Sequence, residues 1–118
     1  MRGILINAEA RTITEVEVPE GYKNIYPFLG AGVDMFQCVD ITRKGDTIYV
    51  DEEGLLKPQD NFFLYAGYGQ PLAGNGLVLS TDNEGETVGT KLTLETIIKN
   101  VKFMNRFEAH AWAVKHGV

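Results

Sequence analysis

The order of patterns along this chain predicts an α+β fold: a mainly antiparallel sheet of about five or six strands, one short early helix, and one or two C-terminal helices. Three observations carry that expectation. Short β-favouring runs separated by turn residues fill the first two-thirds of the 118 residues, a regular helical period begins only after Thr93, and strands never alternate with long helical stretches.

Gly3–Asn7 and Thr12–Val18 flank Ala8-Glu9-Ala10-Arg11 and read as an opening hairpin. In the second arm Thr14, Val16 and Val18 alternate with Glu15 and Glu17, so one face of the hairpin is wet. Tyr22, Ile25, Tyr26 and Leu29 follow at helical spacing, with Pro27 limiting the helix and Gly30 ending it. Met35–Ile41 offers apolar residues to both faces, the pattern of a central strand, with Cys38 as a small core residue. Lys44-Gly45-Asp46 turns that strand into Thr47–Val50, a second hairpin. Asn61–Ala66 and Gly76–Thr81 are further strands, and Asp82–Gly85 has the residues of a turn between hairpin arms. Thr93 caps a helix whose apolar stripe is Leu94, Ile97, Ile98, Val101 and Met104. Asn105 caps a further stretch in which Phe107, His110, Ala111 and Val114 share a face, and Trp112 beside Phe107 anchors the tail on the core. The sheet is then expected to be covered on one face, within a single domain over residues 1–118.

Composition narrows the function. Hydrophobic residues make up 44% and charged residues 23%, as in an ordinary globular domain. Eleven Lys and Arg against sixteen Asp and Glu leave a net charge of −5, the wrong sign for nucleic acid or an anionic membrane. The single cysteine excludes an internal disulfide, and no signal-peptide core or apolar span is legible, so the expected location is the cytoplasm.

Thirteen glycines are an excess, and six of them fall between Gly67 and Gly89. The run Gly67–Gly76 is neither a phosphate-binding P-loop nor a dinucleotide fingerprint. It reads either as a tight loop leading into the strand at Leu77 or as a ligand loop whose contacts come from Asn61, Tyr65, Tyr68, Gln70 and Asn75. Asp51, Glu52, Glu53 and Asp60 form a second candidate cluster, for acid–base chemistry or a divalent cation, although such charge runs are usually solvated turns. Ser80 lacks the surroundings of a hydrolase nucleophile, and His110 and His116 stand six apart, pointing in different directions on a helix. No metal site and no cofactor are expected.

The segments RGILINAEARTITEVEV, TIYVDEEGLLK, NFFLYAGYGQPLAGNGLVLSTDNEGE and LTLETIIKNVKF resemble the domain of unknown function 3846 family over residues 1 to about 103, with 104–118 as a C-terminal extension. Asn61 and Gly74-Asn75-Gly76 match the family pattern, whereas Phe62-Phe63 stand where it has a small or basic run. The resemblance implies a phage or mobile-element setting in a bacterial host and brings no activity with it. The expected function is a non-catalytic binding protein that engages a host protein or a small-molecule ligand through the glycine loop, and a homo-oligomer is compatible with it. A small enzyme using the 51–60 acidic segment is the alternative, and an acidic DNA mimic a minor one.

Overall fold

The computed structural model describes residues 1–118. Its first hairpin pairs β1 (Arg2–Asn7) with β2 (Thr12–Glu17) in the register Ile4 to Glu15. A single-turn 3-10 helix at Tyr22–Asn24 leads into α1 (Tyr26–Leu29), with Pro27 in the first turn, where its missing N–H costs nothing. β3 (Phe36–Asp40) and β4 (Asp46–Asp51) form the second hairpin. Gly45 in its turn has φ +93°, and a Cβ there would lie 2.5 Å from the Thr81 carbonyl oxygen, so only glycine fits.

β5 (Asn61–Tyr65), the two-residue β6 (Leu72–Ala73), β7 (Gly76–Thr81) and the two-residue β8 (Thr87–Val88) follow. The chain closes with α2 (Leu94–Asn100), β9 (Val101–Asn105) and α3 (Arg106–His116). The main sheet is antiparallel and six-stranded, in the order β2-β1-β7-β4-β3 with β8 beside β7, and a second sheet has the order β6-β5-β9.

Alternation along the main strands builds two cores. Ile4, Ile6, Val39, Ile48, Val50 and Val78 point to the side where Phe63 and Tyr65 of the small sheet and Ile97 of α2 meet them. Tyr49, Leu77 and Leu79 point to the other side, under Val18, Ile25 and Leu29. Both faces of the main sheet are therefore covered, where one was expected. The early helix is too short to signal a layer by itself, but Leu29 in it and Ile25 just before it are buried.

Four further expectations are corrected. Met35–Ile41 is not a central strand: β3 lies at the sheet edge and Cys38 is exposed. Its two-faced apolar pattern arises because Phe36 packs on Tyr26 and Tyr49 on one side while Val39 enters the larger core on the other. The stripe after Thr93 is broken, since α2 stops at Asn100 and Val101 pairs with Tyr65 in β9. Ile97 is fully buried, whereas Ile98, a further 100° round the helix, is 54% exposed. Asn105 does cap α3, with a reciprocal Glu108 contact, but the buried residue there is Ala109, while Phe107 and Val114 face solvent. Trp112 stacks on His116 at 3.9 Å instead of anchoring the tail beside Phe107. No helix is long and apolar enough to cross a membrane.

Candidate functional site

The five residues proposed for the glycine loop separate into three groups. Tyr65 ends β5 with its ring in the larger core, and burial raises its hydroxyl pKa, assisted by the Asp46 charge and opposed by a hydrogen bond with Asn100. Tyr68, half-buried, packs against the same core. Gln70 lines a shallow apolar groove of about 260 Å³ between the loop and α3, together with Phe62, Pro71 and Ala109. Only Asn61 and Asn75 come together, in a polar cleft of about 200 Å³.

The same cleft brings Asp51 of the acidic turn beside Gly74 and Asn75 of the glycine loop. β4 runs directly into Asp51, the 3-10 turn Gly54–Leu56 reverses the chain, and Lys57 returns to pair with the Asp51 carboxylate, Nζ to Oδ2 2.7 Å. Lys57 Nζ also donates to the Gly32 carbonyl at 3.4 Å, and the other Asp51 oxygen accepts from the Glu53 N–H at 3.0 Å. The hydrogen bond from Lys57 to Asp51 raises the lysine pKa and keeps the ammonium charged. Gln59 accepts from the Asn61 N–H at 3.0 Å, and the Asn61 carbonyl accepts from the Gly74 N–H at 2.9 Å, which closes the far wall. Glu9 and the segment from Leu29 to Val33 complete the lining.

Asn75 holds the cleft together. Its side-chain oxygen accepts from the Ala8 N–H at 3.1 Å and its amide nitrogen donates to the Phe28 carbonyl at 3.2 Å, tying the first hairpin to α1. Gly76 next to it is a packing glycine: a Cβ would sit 2.7 Å from the Phe63 ring and 2.8 Å from Ile48. Much of the glycine excess therefore serves turns and close approach. Asn61, by contrast, lines the cleft with its backbone hydrogen-bonded and its side-chain amide without a hydrogen-bond partner in the chain.

The acidic segment does not converge. Asp51 is engaged by Lys57, Asp60 pairs with Arg106 at 3.2 Å at the start of α3, and Glu52 and Glu53 are exposed. No three His, Cys, Asp or Glu side chains gather closely enough to hold a metal ion. Ser80 donates at 2.6 Å to Asp46, a buried carboxylate that turn chemistry in the sequence did not mark as special. Lys57, Gln59 and Glu9 were likewise not singled out. Gln59 reaches Asn61 locally, two residues away, whereas Lys57 and Glu9 meet it only through the closing of the cleft.

The family model described as "Domain of unknown function (DUF3846)" matches residues 1–108, which takes in β9 and the first turn of α3. No curated protein and no solved structure matches the chain. With nine-tenths of its length matched, the chain belongs to this family.

Proposed function

We propose, from its membership of the DUF3846 family and from the polar cleft, that this is a non-catalytic binding protein of a phage or other mobile element. It works in the cytoplasm of a bacterial host and takes a small polar group, free or carried on a host protein. The observation that carries the reading is Asn61, on the wall of the cleft with no side-chain hydrogen bond in the chain, beside Asn75 and the Lys57–Asp51 pair, which are already held in place. A side-chain amide offers both donors and an acceptor, and a preorganised wall spares a ligand the cost of ordering it.

Size sets the ligand class. At about 200 Å³ the cleft falls below the ~300 Å³ at which drug-sized ligands begin, so it suits a single polar group and not a nucleotide. Catalysis is disfavoured because Lys57 is held charged by Asp51, and a poised base or nucleophile needs the opposite shift. Five acids, Glu15, Glu17, Asp51, Asp60 and Glu108, stand in ion pairs, which thins the unbroken negative row a DNA mimic would present.

Native mass spectrometry of the protein purified from a host carrying the element tests this, with Asn61→Ala as the comparison. The wild type should retain a small-molecule or host-protein adduct. Asn61→Ala should lose it by more than about 1 kcal/mol in affinity while staying within about 0.5 kcal/mol in stability, as surface sites do. Equal retention by both proteins would remove the cleft from consideration.

A further inference from the structure

The two edges of the main sheet are built differently. β2 presents Thr12, Thr14, Glu15 and Glu17 to solvent, with Glu15 paired to Arg2 at 3.0 Å, and Pro19 follows it. Charges and a proline at the end discourage another strand from adding there. β3 and its flanks, Met35 to Ile41, contain no Lys, Arg or Pro, and Asp40 is their only charge. Met35 is 53% exposed.

The hydrogen bonds from Ile41 N–H to Asp46 and from Glu52 N–H to Met35 set the alternation along this pair. In an antiparallel ladder every second residue faces the partner strand, so the N–H and C=O groups of Phe36, Cys38 and Asp40 point away from β4 to the open edge.

We propose that this edge pairs with the same strand of a second copy, antiparallel, about a two-fold axis at Cys38. The register is self-complementary. Phe36 falls opposite Asp40, Cys38 opposite Cys38, and each of these pairs exchanges two hydrogen bonds between outward-facing groups. Met35 falls opposite Ile41, which already packs against the larger core, so the exposed methionine is covered and that core runs on across the axis.

Charge complementarity favours a second copy over an arbitrary strand. The same register brings Asp34 of one copy opposite Thr42 of the other, beside Arg43 and Lys44, neither of which makes an ion pair in its own chain. The match is repeated at both ends by symmetry. An isologous contact of this kind closes at two copies, and the edges that remain are the two β2 strands with their charges and Pro19.

Sedimentation equilibrium over a dilution series reads the association. The wild type should approach twice the chain mass at high concentration. Cys38→Pro removes an outward donor without breaking the β3–β4 ladder, and should weaken association at least tenfold with an unchanged circular dichroism spectrum. Cys38→Lys, at an exposed position, sets two ammonium groups face to face and should weaken it as well, with partial recovery in high salt. If the proline variant misfolds, the lysine variant decides. A wild type that stays monomeric throughout, or a dimer that Cys38→Lys leaves equally tight, overturns the proposal.

Discussion

Ser80 on β7 donates its hydroxyl hydrogen to Asp46 on β4 across 2.6 Å, while Thr42 donates to the other carboxylate oxygen at 2.8 Å. Asp46 is the one buried charged residue of the chain, and Thr90, ahead of α2, adds a long contact of 3.5 Å. A buried carboxylate without a cationic partner persists because hydroxyl donors replace the water it lost. Asp46→Ala leaves those hydroxyls without their acceptor and should cost about 1.5–3 kcal/mol in urea denaturation, the range for hydrogen bonds to a charged group. A cost under about 0.5 kcal/mol would show that water replaces the carboxylate at no penalty.

Neighbouring isoleucines on α2 should behave oppositely. Ile97→Ala should lose about 2–5 kcal/mol, because Ile97 is fully enclosed by the larger core. Ile98→Ala should stay within about 0.5 kcal/mol, since more than half of that side chain is already in water. Equal losses at the two positions would contradict the orientation of the helix.

The Asn105 cap is a local device whose removal should be felt locally. Its side chain accepts from the Glu108 N–H at 2.8 Å, and the Glu108 carboxylate accepts from the Asn105 N–H at 3.0 Å. Asn105→Ala should cost about 1 kcal/mol. Amide exchange should quicken in the first turn of α3 more than in β5; uniform acceleration across the chain would argue against a local cap.

Alkaline pH should destabilise the fold. Burial disfavours the phenolates of Tyr49 and Tyr65 and raises both pKa values above the ordinary 10.0. The Cys38 thiol is raised above 9.0 by desolvation from its neighbours, with Asp40 adding to the shift and a Tyr49 hydrogen bond opposing it. Lys57 is raised above 10.5 by its hydrogen bond to Asp51. All four groups hold their protons more tightly folded than unfolded. Their stabilising contribution is complete below the unfolded pKa values and is lost as pH rises through the folded ones. The melting temperature should therefore fall from about pH 9 upward, and Tyr65→Phe should make the fall shallower. Identical slopes for Tyr65→Phe and the wild type would exclude Tyr65 as a source of the effect.

Local chemistry made the hairpins, the early helix and the Asn105 cap legible. Each depends on residues a few positions apart: alternation in Thr12–Val18, a glycine that Gly45 must be, an amide that reaches its own helix N-terminus. The class of the fold follows from the order of such pieces, and so did the family pattern. What only the tertiary structure decided was which pieces meet. Cys38 sits at an edge because strand order is set by long-range pairing, and β7, distant in sequence, fills the middle of the sheet instead. Ile98 faces water because α2 docks through Ile97 and ends at Asn100, where Val101 leaves helical geometry to pair with Tyr65. Asn61 lines a cleft because the return of Lys57 to Asp51 and the hold of Asn75 on Ala8 and Phe28 close around it. Those contacts span up to 67 residues of chain, and their free energy depends on the whole packed core, which no local pattern encodes.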